Sequence, residues 1–427
     1  MKPFIPANQN LLLNWTAELL FPTLLKSMHN INEIVISEED KKLLRNHKDE
    51  RVLLFTNHPT TAEPPIVFQL SNIMGSRFKY MASRQVFDWG FGLVGQVISN
   101  IGAFSVIAGI ADRDSMKASR QALADKGGKL VLFPEGEPTS GENDNLMPFQ
   151  SGLAQLSFWA LEDARKIEKG ADINILPAFI KYVVDATEKE ILRDLDESIS
   201  RIERKYSIKH WDKNILRRFL TVGRYLLEDA EHEYKILAPR QHDFNYRIGR
   251  VRHAILDNIA DRLNMKNYKK DEDAIHKLRQ IFALIEMISI NYPDPKLPKI
   301  NSQELEWAKR EAIKAFDMIV IKRDYLISYP SPERFYEWLA RYESYVFGKT
   351  PRAIGGEASH LPRKAYIKFA NHFKLSEYYP QYKENRKQAM ETMLERLRVD
   401  IQSLLDEMMQ LTRPIIAPYD VGDDMIE

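Results

Sequence analysis

The amino-acid sequence predicts an α/β fold, with a mainly parallel sheet flanked by helices, followed by an all-helical C-terminal domain. Short apolar runs alternate with helix-like segments through the first 188 residues, which is the order typical of α/β proteins. Twelve of the 18 glycines lie in the same part of the chain. Beyond it, strand-like runs nearly vanish and apolar residues recur at helical spacing. We therefore predict two domains, residues 1–188 and residues 189–427, and the sequence assigns no role to the second.

The predicted strands are short apolar runs bounded by turns. One of them, at residues 129–133, follows Gly127 and Gly128, which end the helix-like segment before it. Helices are predicted at residues 114–124 and 151–166, and parallel strands joined by crossover helices suit this order. The strands are predicted at residues 51–56, 78–82, 103–107, 129–133 and 173–184.

Helices in the second half are identified by apolar residues that step by three or four positions. Each group forms one stripe along a helix, the face that packs on a core. Proline clusters at residues 292–298 and 329–332 mark breaks between helices rather than linkers between domains. The three stripes are Ile191, Leu195, Ile199, Ile202 and Tyr206; Ile275, Leu278, Phe282, Ile285 and Ile288; and Met393, Leu397, Ile401, Leu404, Met408 and Leu411.

Composition limits the function classes that this chain can serve. Its 427 residues, 44% of them hydrophobic, are enough for more than one core. Lys and Arg total 61 against 60 Asp and Glu, and the formal charge of +1 argues against a nucleic-acid partner. The absence of cysteine excludes disulfides, thiolate metal ligands and a cysteine nucleophile. The N-terminus lacks the features of a signal peptide, so we expect a cytoplasmic protein.

Two apolar stretches raise the question of a membrane. The Leu-rich run of residues 11–25 is interrupted by Glu18 and Pro22, so it is poorly suited to span a bilayer. An amphipathic helix there could lie on the membrane surface or pack against the protein's own core. No residue between Trp89 and Ala111 is charged. The glycines and polar residues of that stretch dilute its hydrophobicity and favour burial within the domain. We expect peripheral association with the inner face of the membrane.

One polar turn carries the residues best suited to catalysis. A buried strand leads into His58, and Pro64 opens the helix that follows. Ligands bind at the carboxyl ends of strands in open α/β sheets, which is where His58 falls. A carboxylate from Glu63 on one imidazole nitrogen would fix the tautomer and stabilise the imidazolium that forms when the other nitrogen accepts a proton. The two residues are five apart, so they can meet only through the turn. The alternative is a structural histidine beside a turn.

Three further blocks follow this turn. They are KLVLFPEGE at residues 129–137, MPFQSG at residues 147–152 and ILPAFI at residues 175–180. In order and spacing, the four blocks resemble a variant branch of the glycerolipid acyltransferase superfamily, which includes lysophosphatidic acid and glycerol-3-phosphate acyltransferases. The resemblance covers roughly residues 50–185 and implies a glycerolphosphate acyltransferase-like fold for the first domain.

The resemblance implies roles for the first block. In that family the block is Asn-His followed by four residues and Asp, where the histidine is the base for the acceptor hydroxyl and the carboxylate is its partner. His58 and Glu63 hold these positions here, with glutamate in place of the usual aspartate.

It also implies a binding site for the acceptor. The Phe-Pro-Glu-Gly block is intact, so Glu135 and Gly136 are expected to help bind the glycerol phosphate. Arg84 matches one basic position of the family. Ala108 stands where a second arginine is usual, and Arg113 is its nearest substitute. The Thr-Arg that usually follows the Phe-Pro-Glu-Gly block is replaced by residues 137–138, Glu-Pro.

The reaction implied is transfer of a fatty acyl group from acyl-CoA or acyl carrier protein to a hydroxyl of lysophosphatidic acid or glycerol 3-phosphate, a step of phospholipid biosynthesis. The partners expected are the donor thioester, the phosphate-bearing acceptor and a membrane surface. No metal and no bound cofactor are implied. With no cysteine and no serine placed to carry the acyl group, the acceptor would attack the thioester directly. The departures from the family pattern leave a second interpretation open, a lipid-binding or scaffolding protein that keeps the fold without turnover.

Overall fold

A computed structural model describes residues 4–107, 112–136, 143–209, 213–237, 243–348 and 360–422. Contacts among these residues divide the chain into two compact units. The first contains the described residues of 1–139, 143–183 and 362–411. The second contains the described residues of 184–361 and 412–427.

The first unit is built on an eight-stranded sheet. Its strands are β1 (Ile31–Ile36), β2 (Val52–Thr56), β3 (Lys79–Ser83), β4 (Ala103–Val106), β5 (Lys129–Leu132), β6 (Asn174–Val184), β7 (Arg363–Phe369) and β8 (Phe373–Lys374). They are ordered β1-β7-β6-β2-β5-β3-β4, and β8 pairs with β6. The pairs β1–β7, β2–β5, β2–β6, β3–β4 and β3–β5 are parallel, whereas β8 is antiparallel to β6. The predicted α/β class with a mainly parallel sheet is confirmed.

The central strands are mainly apolar because both faces of the sheet are covered. Side chains of a strand point alternately to its two faces. In β2, Leu53 and Phe55 belong to one hydrophobic cluster, while Val52 and Leu54 belong to another. All four side chains are fully buried. Because both faces are buried, residues 52–55 are all apolar, and the strand can be recognised in the sequence.

Helices cover the sheet. The last of them, α15 (Arg386–Met408), buries the predicted stripe from Met393 to Met408 in the same cluster as Leu53 and Phe55, whereas Leu411, just beyond the helix, is 40% exposed. The segment Arg84–Gly92, which follows β3, forms 3-10 turns interrupted at residues 89–91. The helices of this unit are α1 (Leu11–His29), α2 (Glu38–Asn46), α3 (Glu63–Met74), α4 (Leu93–Asn100), α5 (Arg113–Ala124), α6 (Gly152–Ile167), α14 (Tyr379–Glu384) and α15 (Arg386–Met408).

Residues 362–411 lie within the predicted helical domain, whereas their contacts place them in the first unit. The cause is strand pairing, because β7 adds to β1 and β8 adds to β6. The first unit is therefore discontinuous along the chain. The five predicted strands all form, each within one residue of the predicted bounds.

The second unit is helical in its described residues. Its first helix, α7, begins with a capping box, in which Thr187 and Glu190 each accept a hydrogen bond from the other's backbone N–H. The predicted stripes fall on α7 and α10. The helices are α7 (Glu188–Tyr206), α8 (Ile215–Glu233), α9 (Phe244–Arg262), α10 (Ala274–Ser289), α11 (Ser302–Val320), α12 (Arg323–Ser328) and α13 (Pro332–Phe347).

Within the described residues, no helix combines the length and the apolar character needed to cross a bilayer. The same residues contain no group of three or more His, Cys, Asp or Glu side chains arranged to hold a metal ion.

Candidate active site

The site lies where β2 ends. Parallel strands bring their carboxyl ends to one edge of the sheet, so the turn after β2 lies beside the turns after β5 and β3. The neighbour on the other side, β6, is longer. Thr56, the last residue of β2, pairs with Ala178, and β6 continues for six residues beyond that point. This overhang forms a wall beside the turn.

His58 and Glu63 meet at this turn. Nδ1 of His58 lies 2.7 Å from Oε2 of Glu63. Glu63 is the first residue of α3, so the chain reverses between the two residues and brings their side chains together. The position also places a carboxylate at the positive end of a helix, where the helix dipole attracts a negative charge. The helix starts at Ala62 and Glu63 without a side-chain cap from Thr60 or Thr61. Thr60 instead accepts from the backbone N–H of Ala62 and donates to Glu63.

The carboxylate of Glu63 is fully buried and saturated with donors. Thr60 donates from its backbone N–H to Oε2 at 3.0 Å and from its hydroxyl to Oε1 at 2.8 Å. Tyr182, on the overhang of β6, donates its phenolic O–H to Oε1. These bonds compensate the burial of the charge and leave the carboxylate one orientation.

The imidazole of His58 is held from two sides. A carboxylate accepts at Nδ1, so this nitrogen carries the proton of a neutral ring and Nε2 is left as the acceptor. The ring of Phe133 stacks on it, with centroids 4.0 Å apart. No described residue forms a hydrogen bond with Nε2, and the side chain is 14% exposed. The arrangement can accept a proton at Nε2 and stabilise the resulting imidazolium through Glu63.

Glu135 lies directly behind His58. One carboxylate oxygen accepts from the backbone N–H of His58 at 3.0 Å, and the other accepts from that of Met147 at 2.8 Å. Burial raises the pKa of Glu135 to about 7, against the lowering effect of these two hydrogen bonds. The charge of Glu63 adds to the increase. The carboxyl of Glu135 therefore fixes the backbone of the His58 turn to the segment that follows the Phe-Pro-Glu-Gly block.

Gly136 completes that block in a conformation that favours glycine. Its φ of +80° is one that L side chains rarely adopt, and a Cβ there would collide with the side chain of Gln150. The backbone N–H of Gln150 donates to the carbonyl of Pro134 at 2.8 Å. The segment around residue 150 therefore folds back over residues 134–136.

The two predicted arginines lie farther along the same sheet edge. Arg84 follows β3, two strands from β2, or about 10 Å at the usual strand spacing. It is 2% exposed, it lies 2.9 Å from a carboxylate oxygen of Asp88, and its Nε forms no hydrogen bond with any described residue. Arg113 is the exposed first residue of α5. No contact between either arginine and His58 is present in the described residues. Ala108 and residues 137–138 lie outside them.

Sequence reasoning missed several residues that assemble the site. Tyr182 is one, because its contact with Glu63 spans 119 positions. The side-chain amide of Asn57 forms two hydrogen bonds with the backbone of Ile180, at 2.8 and 2.9 Å. Asn143 donates to the same carbonyl at 2.9 Å. Asp144 pairs with Lys181, and both side chains are fully buried. An Asn beside the histidine and the polar cluster at residues 143–145 were the only local signals for these contacts.

A histidine–carboxylate pair at the carboxyl edge of a parallel sheet can act as a general base. The family model for the Acyltransferase domain matches residues 34–181, from β1 to β6. This part of the chain is an acyltransferase domain of the glycerolipid acyltransferase family. No curated protein matches the chain.

Proposed function

We propose that this protein transfers a fatty acyl group from acyl-CoA or acyl carrier protein to a hydroxyl of lysophosphatidic acid or glycerol 3-phosphate. The observation that carries the proposal is the 2.7 Å contact between His58 Nδ1 and Glu63 Oε2, with Nε2 left to accept a proton. A scaffold would have no need of a buried carboxylate with three donors aimed at one imidazole.

In the proposed reaction, Nε2 of His58 takes the proton of the acceptor hydroxyl as its oxygen attacks the thioester carbonyl. The C–S bond then breaks, and the leaving thiolate takes the proton back from the imidazolium. Glu63 stabilises the imidazolium between these two steps. Positioned general-base catalysis of this kind contributes roughly 10²–10⁴-fold to the rate.

The phosphate of the acceptor would be recognised by cations on the same edge of the sheet. Arg84 and Arg113 follow β3 and β4 in the chain, and the carboxyl ends of these strands share the edge with that of β2. Arginine suits this task because its guanidinium donates two parallel hydrogen bonds to phosphate oxygens. Glu135 and Gly136 would act by holding the His58 turn and the segment around residue 150 in place.

We further propose that the first unit binds the surface of a membrane from its cytoplasmic side. Apolar side chains on α1 are exposed, including Leu11, Trp15 and Leu19 at 75%, 64% and 81%. A second exposed set, with Phe91 and Leu93, lies at the start of α4, a helix that contacts α1. Contiguous exposed apolar side chains of this size are typical of helices that lie in a lipid interface.

An assay with purified protein tests the proposal. Acyl-CoA and acylated acyl carrier protein, each labelled in the acyl group, are incubated with lysophosphatidic acid and with glycerol 3-phosphate. The lipid products are then separated. Transfer of label to at least one acceptor, and its loss in His58→Ala, is the expected result. Binding of the lipids without product in all four combinations would instead establish a lipid-binding protein.

A further inference from the structure

The second unit contains a cavity that the proposed reaction does not use. Its volume is about 180 Å³. An apolar cavity of about 150 Å³ is enough to bind a ring such as benzene, so this one holds a comparable or slightly larger apolar group. The cavity lies among four helices, α8, α9, α11 and α13, all within the second unit.

Each helix presents one face to the cavity. On α13, Trp338, Arg341, Tyr342 and Tyr345 follow at steps of three, one and three, which places them on one side of the helix. Gly223 on α8 belongs to the lining because only a residue without a side chain fits there. A Cβ at this position would collide with the hydroxyl of Tyr342.

The wall of the cavity is mainly apolar, and part of it is buried. Its large apolar side chains come from all four helices and from the residue after α11. Five of them are at most 6% exposed, namely Leu220, Leu226, Leu227, Trp338 and Tyr342. The remaining apolar side chains of the lining are Phe244, Ile248, Ile313, Met318, Ile321 and Tyr345.

Cations outnumber carboxylates in the lining. Among the described lining residues, one is acidic, Asp317, against the basic residues Arg224, Arg310, Lys314, Arg323 and Arg341. Lys314 is neutralised by Glu233 and Glu311, at 3.0 and 3.1 Å. Arg310, by contrast, is exposed and forms no ion pair with any residue that the structure describes. Nε of Arg224 forms no hydrogen bond among the described residues and makes only a long contact, of 3.9 Å, with a carboxylate oxygen of Glu228.

A second unsatisfied donor lies in the buried wall. Trp338 is 4% exposed, and its indole N–H forms no hydrogen bond with any described residue. Buried polar groups in folded proteins are nearly always hydrogen-bonded, so this N–H is a donor still able to accept a partner.

We propose that this cavity binds an amphipathic anion, with its hydrocarbon chain against the apolar wall and its anionic group at Arg224 and Arg310. A carboxylate or a phosphate supplies the acceptors that these guanidinium groups require. Every lining residue belongs to the second unit, whereas His58 belongs to the first. It gives the helical domain a ligand-binding role.

Equilibrium dialysis of the full chain against labelled octanoate, laurate and palmitate, each below its micelle concentration, tests the proposal. Affinity should rise about threefold to fourfold per added methylene and level off once the enclosed space is filled. Dodecyl phosphate serves as a second headgroup and distinguishes a phosphate-bearing lipid from a fatty acid. Dodecanol, which has the chain without the charge, should bind at least about tenfold more weakly than the better of the two anions.

Two variants locate the anion. Arg310→Ala and Arg224→Ala should each weaken anion binding about tenfold and leave dodecanol binding unchanged. Arg250→Ala is the matched control, because Arg250 is an exposed arginine on α9 outside the lining. Equal binding of dodecanol and laurate, or equal affinities of all three arginine variants, would overturn the proposal. Circular dichroism checks that each variant is folded.

A photoreactive laurate with a terminal diazirine separates this cavity from the active site. Cross-linked peptides should come from α8, α9, α11 or α13, and His58→Ala should bind the probe with unchanged affinity. Cross-links confined to the first unit would refute the cavity as the binding site, and would leave acyl transfer at His58 unaffected.

Discussion

Tyr182 donates a hydrogen bond to Oε1 of Glu63, the carboxylate oxygen that His58 does not use. Burial, and then the charge of Glu63, raise the pKa of Tyr182 well above its usual range, so the phenol keeps its proton at neutral pH. The tyrosine therefore remains a donor to Glu63 and holds the carboxylate in the orientation that His58 needs.

Tyr182→Phe should lower kcat about fivefold to tenfold with little change in either KM, since the lost hydrogen bond to a charged group orients Glu63 and touches no substrate. Steady-state kinetics with a saturating donor measures this effect. Tyr336→Phe is the control, because Tyr336 is another fully buried tyrosine that donates to a carboxylate, Asp194, but lies in the second unit. Equal rates for the two variants would show that Tyr182 has no part in orienting the pair.

Substitution of the pair itself should have a much larger effect. His58→Ala should reduce turnover by roughly 10²–10⁴-fold, the contribution of general-base catalysis. Glu63→Gln keeps the size of the side chain but removes the charge that stabilises imidazolium, so kcat should also fall steeply while donor binding is retained. Single-turnover rates and donor affinity measured on folded variants separate these quantities. Near wild-type rates in both variants would make the pair structural.

The raised pKa of Glu135 predicts a pH dependence of stability. Burial moves the pKa from 4.5 to about 7, so between these values the folded protein holds a proton that the unfolded chain has lost. The stabilisation from this proton is complete below pH 4.5 and is lost as the pH rises through 7, a change of about 3 kcal/mol. Glu135→Gln has no proton to lose. Urea denaturation from pH 4 to pH 8 measures the unfolding free energies of wild type and variant. Over this range the wild type should lose about 3 kcal/mol of unfolding free energy relative to the variant. A constant difference would contradict the prediction.

The sequence was sufficient for the central part of the fold because that part is buried on both faces. Residues 52–55 of β2 and 130–132 of β5 are unbroken apolar runs, since helices cover each side of the sheet. The strands β1 and β7, at one edge of the sheet, were not predicted from the sequence. In β7 buried and half-buried residues alternate, which interrupts the apolar run, and its partner β1 lies more than three hundred residues earlier in the chain. No local pattern records such a pairing.

The contacts of the candidate site also divide into those that the sequence predicts and those that it does not. His58 and Glu63 are separated by one turn, so their meeting follows from local geometry. The contacts of Tyr182 and Asn143 depend instead on how far β6 extends past β2, which is a property of the assembled sheet. The Phe-Pro-Glu-Gly block was recognisable in the sequence, but the contact between Glu135 and the backbone of His58 was not.

Arg113→Ala and Arg84→Ala should raise the KM for the acceptor more than they lower kcat. A phosphate clamp acts on ground state and transition state alike, and loss of a hydrogen bond to a charged group costs about 1.5–3 kcal/mol. Steady-state kinetics measures both constants with two acceptors, lysophosphatidic acid and a monoacylglycerol, which lacks the phosphate. The variants should match the wild type on the second acceptor. An unchanged KM for the phosphate-bearing acceptor in both variants would exclude these arginines from its binding. Because Arg84 is buried, its variant also requires a measurement of stability.

Charged substitutions on the exposed apolar surface of the first unit should release the protein from membranes. Leu19 is 81% exposed and Phe91 is fully exposed, so Leu19→Glu and Phe91→Glu leave the core intact. Each removes an apolar side chain whose complete burial contributes about 1.5–3 kcal/mol, or roughly a tenfold or larger loss in partitioning onto lipid. Cosedimentation with phosphatidylethanolamine–phosphatidylglycerol vesicles measures this partitioning. Leu237→Glu is the matched control, because Leu237 is 86% exposed but lies in the second unit, and it should sediment like the wild type. If all three variants sediment equally, the surface formed by α1 and the start of α4 is not the one that meets the membrane.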